Sequence, residues 1–119
     1  MKLNHNCSKF IYKYLILLAV FLSTTMSYGQ GHFVLAYTGY GQDQMNINVV
    51  QAMIGGVSLQ TGDEIAAFDG TICCGKVILV KPIVFSTPST FVSISASKAD
   101  VGISNGYTVG HPITLKFWS

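Results

Sequence analysis

Three carboxylates, Asp63, Glu64 and Asp69, fall within seven residues of one another. A close carboxylate pair can divide acid and base work or ligate calcium through oxygen. The spacing argues against both. Asp63 closes Thr61-Gly62-Asp63 and Asp69 opens Asp69-Gly70. These are turn positions, where aspartate is favoured because it hydrogen-bonds nearby backbone. Residues 64–68 read as a strand, which sets the two aspartates at its opposite ends, roughly 20 Å apart at about 3.3 Å per residue. Calcium would need further ligands from Asp43 or Asp100. Asp63 and Asp69 are therefore expected to shape turns, with calcium only a weak reading.

Cys73 and Cys74 are adjacent. On a strand, neighbouring side chains point to opposite faces. One thiol is expected to act as a small core hydrophobe, the other to be exposed or to face a second sheet. A bridge between them would strain the backbone: neighbouring Cα atoms lie about 3.8 Å apart, and ordinary disulfides span roughly 4.4–6.8 Å. Such a bridge would be a rigid clip or a redox switch. Zinc needs more ligands than two divergent thiolates, and His32 and His111, the histidines past the leader, follow no ligand pattern. No nucleophile-elbow serine, phosphate loop or metalloprotease helix is present. Gly39-Tyr40-Gly41 opens no helix and so is not a dinucleotide fingerprint. No catalytic residue, metal or cofactor is assigned. The remaining opening is aromatic. With Tyr37, the residues Tyr40, Tyr107 and Trp118 are candidates for a platform on which sugar rings stack. Aromatics also fill sandwich cores, and alternation sets Trp118 opposite Phe117 without saying which face is wet.

The elements that must position these residues are short and extended. Past residue 30, no long stretch carries apolar residues at helical spacing. Runs of valine, isoleucine, threonine and aromatics recur between glycine-bearing turns instead. Strands are expected at 33–37, 45–53, 64–68 and 71–80, with a short extended piece at 57–59. Gly55-Gly56 makes a turn. Asp69-Gly70 is expected at the bend of a hairpin over 64–80, in a type I′ turn with positive φ at both central residues. Pro82 and Pro88 bracket a break. Residues 90–95 alternate with one wet face, and 97–105 form a polar loop. Asn105-Gly106 and Val109-Gly110 turn the chain around Tyr107. On the last strand, Ile113, Leu115 and Phe117 point one way, Thr114, Lys116 and Trp118 the other. Six or seven short strands of this kind predict an all-β fold, a small antiparallel β-sandwich. Ser119 follows directly on an apolar strand. That strand is expected to be central in its sheet, or the native chain to run on beyond a truncated module.

The first 29 residues read as an address. Lys2, Lys9 and Lys13 precede the apolar run 14–22, and Ser27 and Gly29 stand at −3 and −1 of a cut after Gly29. This is the layout of a cleaved secretory signal peptide. The run of nine apolar residues is too short for a span, which needs about 20. Cys7 precedes the apolar run and does not fit a lipid attachment site. Residues 30–119 remain as one module, a length that buries roughly 60–65% of the unfolded chain's surface. Half of the 119 residues are hydrophobic and 10% are charged, too apolar for a disordered segment. The formal charge of +2 belongs to the leader; four lysines and five carboxylates remain past it, net −1, with no arginine. That balance excludes electrostatic nucleic-acid binding as a main function.

One set of motifs is more specific: Met45-Asn46-Ile47, Gly56-Val57-Ser58-Leu59, Gly62-Asp63-Glu64-Ile65-Ala66-Ala67-Phe68-Asp69-Gly70, Cys73-Cys74-Gly75, Asn105-Gly106-Tyr107-Thr108-Val109-Gly110 and Ile113-Thr114-Leu115-Lys116-Phe117-Trp118. In order and spacing these resemble a module of large secreted and cell-surface proteins of Bacteroidota, which often carry a type IX secretion sorting domain. The resemblance spans about residues 32–118. It implies an extracellular β-sandwich-like unit without known catalytic residues. The chain is therefore expected to be exported to the exterior or the cell surface, or to the periplasm if no sorting domain exists. The expected function is a non-enzymatic exported module of a surface protein, used in structure or adhesion or as an accessory unit, with a glycan or a cell-surface protein as partner. The alternative is a carbohydrate-binding module that assists a polysaccharide-degrading enzyme.

Overall fold

A computed structural model describes residues 31–119; the leader read at residues 1–29 lies outside them. The described residues hold seven strands and no α-helix. In chain order they are β1 (Met45–Val49), β2 (Met53–Ile54), β3 (Val57–Ser58), β4 (Glu64–Asp69), β5 (Ile72–Ile78), β6 (Val92–Ala96) and β7 (Ile113–Trp118), with a 3₁₀ turn at Pro88–Thr90. No helix among these residues is long and apolar enough to cross a membrane.

The main sheet is antiparallel in the order β5-β4-β7. A second antiparallel ribbon pairs β1 with β6, and β2 with β3 forms a small hairpin. Gly55 and Gly56, at φ 58° and 80°, close that hairpin, the two-glycine type I′ geometry that matches strand twist. Central strand β4 is buried along all six residues, and alternation divides it between two cores. Ile65 and Ala67 join Cys74, Leu59, Leu79 and Ile94 in the larger core, which the β1–β6 ribbon covers. Ala66 and Phe68 join Cys73 in the smaller one, beneath Phe33 and Leu35. Ile65 and Ile94 are fully buried, each stabilising the fold by about 1.5–3 kcal/mol. The result is the expected all-β sandwich of short antiparallel strands.

Several expected boundaries move. Residues 33–37 are not a strand. They form a strap across the second face of β4, with a backbone bond from Ala36 N–H to the Cys73 carbonyl at 2.9 Å. The Phe33 N–H is held by the Glu64 carboxylate and not by a ladder partner. The stretch 45–53 breaks after Val49 into β1 and β2. The β4–β5 hairpin is present, but Asp69 still pairs with Ile72, so the bend is Gly70-Thr71. Gly70 alone has positive φ, at 59°. That excludes type I′ and suits a type II′ turn. Asn105-Gly106 bend the chain as expected, and Gly106 also packs against residues 97–99, where a Cβ would sit 2.5 Å from the Ser97 carbonyl oxygen. The strand expected from residue 90 begins at Val92, after the 3₁₀ turn. β7 lies at the edge of its sheet, not at its centre.

Candidate functional site

Two loop arrangements carry the polar chemistry. The first joins residues 37–43 to the loop 97–107. Gln42 N–H donates to Ser97 Oγ at 2.9 Å, and Lys98 N–H donates to the Gln42 carbonyl at 2.9 Å. The Gln42 side-chain amide reaches Asp100 Oδ1. Asp100 and Asn105 bond reciprocally: Asp100 N–H to Asn105 Oδ1 at 2.9 Å, and Asn105 Nδ2 to Asp100 Oδ2 at 2.7 Å. Tyr107 Oη donates to the Asp43 carbonyl at 2.8 Å, and Lys98 pairs with Asp43 at 3.4 Å on the surface. Asp43 holds φ 42°, a left-handed geometry that aspartate tolerates better than most residues. Between these segments lies a cleft of about 380 Å³, lined by Tyr37, Thr38, Tyr40, Gln42, Asp100 and Asn105.

The second arrangement is a clasp at the end of β4. Asp69, nearly buried, accepts the Thr108 N–H at 2.8 Å. His111 Nδ1 lies 3.0 Å from the same carboxylate. The Thr108 amide foremost, then His111, hold the Asp69 carboxyl below its ordinary range. A histidine oriented by an aspartate is half of a hydrolytic dyad, but no hydroxyl or thiol among the described residues hydrogen-bonds this ring. Because the folded carboxyl titrates low, the clasp is complete at neutral pH. It weakens as pH falls below about 4 and through the lowered value. The Thr108 amide is therefore expected to lose hydrogen-exchange protection in that acid window, and Asp69→Asn to lower its protection at neutral pH and flatten the dependence. Unchanged protection in Asp69→Asn would refute the clasp.

The candidate residues do not converge on one place. Tyr40 is 95% exposed at the rim of the cleft. Tyr107 packs against the main core and anchors the same loops through its phenol. Trp118 pairs with Glu64 while Ile113 pairs with Asp69, which puts Trp118 roughly 17 Å along β7 from the clasp. There its ring stacks on His32 at 4.9 Å. A single row formed by Tyr40, Tyr107 and Trp118 is not what the fold builds. Asp63 and Asp69 likewise occupy opposite ends of β4. Asp63 accepts the Gln60 N–H at 2.7 Å, a local turn bond as expected. Asp69 differs from expectation: its partners lie across the fold, because β4 carries it beside the 108–111 turn. The two do not share a calcium site, and no cluster of three or more His, Cys, Asp or Glu suited to a metal ion occurs among the described residues.

Cys73 and Cys74 are free thiols, both buried, one in each core. Cys74 Sγ lies 3.2 Å from the Ala67 carbonyl oxygen, as a weak donor to it. The pairing Ala67↔Gly75 and Phe68↔Cys73 leaves Cys74 as the extra residue of a β-bulge. Burial pushes both thiols up, away from the reactive thiolate. Sequence reasoning named Glu64 only as one of three neighbouring carboxylates and missed its role: the residue is 2% exposed, and its carboxylate accepts the backbone N–H groups of His32 and Phe33. Its place between a turn and an apolar run was the available signal. The Gln42–Asp100–Asn105 lock was also missed, since its members are far apart in the chain. Comparison of the chain with known family models, curated proteins and solved structures found no match.

Proposed function

We propose that this chain is a non-enzymatic exported module of a bacterial surface protein, serving structure or adhesion, in line with its resemblance to Bacteroidota surface modules. One observation carries the reading: the two acids best placed for chemistry, Glu64 and Asp69, are engaged by backbone amides that tie loops to the sheet. Carboxylates held this way brace a scaffold whose loops are free to carry recognition. The leader at residues 1–29 supports export, and cell-surface display through a type IX route belongs to the same proposal. The test is a panel of nitrophenyl esters, nitrophenyl glycosides and casein. The purified protein is expected to hydrolyse none above the uncatalysed rate. Turnover that disappears in His111→Ala would overturn the proposal and make the Asp69–His111 pair catalytic. A second reading, a carbohydrate-binding accessory module, is favoured by the exposed Tyr40 beside the polar cleft.

A further inference from the structure

We propose that the cleft between residues 37–43 and 97–105 is a subsite for one sugar unit of a neutral polysaccharide, with Tyr40 as its stacking platform. The inference deepens the carbohydrate-binding reading and rests on it.

The placement of Tyr40 is the first argument. Large aromatic side chains normally contribute stability by burial, yet Tyr40 is 95% exposed. Gly39 and Gly41 flank it at φ 72° and 70°, left-handed geometries that glycine adopts without strain. Gly41 is also fixed by crowding, since a Cβ there would lie 2.6 Å from Ser97 Cβ. The glycines allow the path of the loop, and the Gln42–Ser97 and Gln42–Asp100 bonds tie it down, leaving one ring in solvent beside a cleft. The ring's flat face suits the apolar C–H face of a pyranose.

The cleft supplies the polar half. Its volume of about 380 Å³ falls within the roughly 300–1,000 Å³ typical of small-molecule sites. Tyr37 and Thr38 line it, and neither the Tyr37 phenol nor the Thr38 hydroxyl makes a hydrogen bond to the described residues. Desolvation raises the Tyr37 phenol, so it stays a protonated donor for a sugar hydroxyl. The Asp100–Asn105 pair and the Gln42 amide lock the walls, and a wall already ordered lowers the entropic cost of binding. An extended peptide finds no open ladder here, because Ser97 O, Lys98 N–H and Ala99 N–H are bonded to Tyr107 and Gln42. The two loops carry the carboxylates Asp43 and Asp100 against one lysine, Lys98, which pairs with Asp43, and this negative balance disfavours uronate and sulfate sugars.

The experiment is affinity electrophoresis and calorimetry of the purified protein with hydroxyethyl cellulose, galactomannan and polygalacturonate. At least one neutral polymer is expected to bind, and polygalacturonate not. Tyr40→Ala, at a fully exposed position, is expected to keep its melting temperature and to weaken binding about tenfold or more. Tyr40→Phe is expected to bind nearly as wild type, and Trp118→Ala to bind unchanged. Neutral-polymer binding that survives Tyr40→Ala would overturn the subsite while leaving the carbohydrate reading in place. Binding of polygalacturonate alone would also overturn it. Failure of every polymer to bind would remove both.

Discussion

Gly75→Ala is expected to lower the protein's stability by about 3 kcal/mol, the upper end of the usual cost of overpacking. The cause is the close approach of β6 to β5. A methyl group on Gly75 would sit 2.7 Å from the Ser95 carbonyl oxygen, 2.9 Å from Ile94 Cγ2 and 3.0 Å from Ala96 Cα. Two of those three atoms belong to backbone and cannot rotate away. The layers must separate, which also stretches the bond from Ser97 N–H to the Cys74 carbonyl, 2.7 Å in the wild type. Trimming Ile94 removes only the side-chain contact, so Gly75→Ala with Ile94→Ala is expected to be worse than either change alone. Thermal melting checks this: about 3 kcal/mol corresponds to a fall of roughly 12–24 °C in a domain this small. A melting temperature that stays put in Gly75→Ala would mean that the layers do not meet here. The glycine of Cys73-Cys74-Gly75 thus has a steric reason, independent of any thiol chemistry.

Glu64→Ala is expected to release the strap, at a cost of about 2–3 kcal/mol. Hydrogen bonds to a charged group contribute about 1.5–3 kcal/mol each; two are lost, to His32 and Phe33. Rehydration of the freed, partly exposed amides offsets part of that loss. The remaining ties of the strap are the Lys76 ammonium bonded to the Phe33 carbonyl at 2.6 Å, the Ala36–Cys73 backbone bond and the edge-to-face contact of Phe33 with Phe68 at 5.7 Å. The two cysteines report the outcome separately. Cys73 lies under the strap and Cys74 in the main core. Alkylation mapped by mass spectrometry is expected to label Cys73 much faster in Glu64→Ala, with Cys74 still protected. Equal acceleration at both thiols would indicate global destabilisation and refute a local strap. Glu64→Gln is expected to fall between, since an amide keeps one acceptor and turns a donor toward the strap's own N–H groups.

Besides the close packing at Gly75, the scaffold is held by side-chain ties between distant segments. Glu64 holds the strap, Asp69 holds the 108–111 turn and Ser97 holds the 42 turn. The proposed sugar subsite depends on this bracing, because Tyr40 is displayed only as firmly as the Gln42–Ser97 and Gln42–Asp100 bonds hold its loop.

The strand content was legible in the residues themselves. Alternating apolar runs and glycine turns are local signals. The divergence of Cys73 and Cys74 follows from the side-chain period of two, and the turns at Gly55-Gly56 and Val109-Gly110 from glycine's tolerance of positive φ. What the runs do not encode is which distant segment covers each face. Residues 33–37 have strand composition, yet they became a strap because the buried Glu64 carboxylate took the amides of His32 and Phe33. Asp69 has the identity of a turn residue, yet its partners lie 39 and 42 positions away. Tyr40, Tyr107 and Trp118 are alike as aromatic residues, and only the antiparallel register of β7 on β4 sent Trp118 to the Glu64 end of the sheet, away from Asp69 and the 108–111 turn. Local conformation follows from neighbours in the chain, through sterics and side-chain alternation. Sites follow from contacts between segments far apart in sequence, which only packing of the whole chain decides.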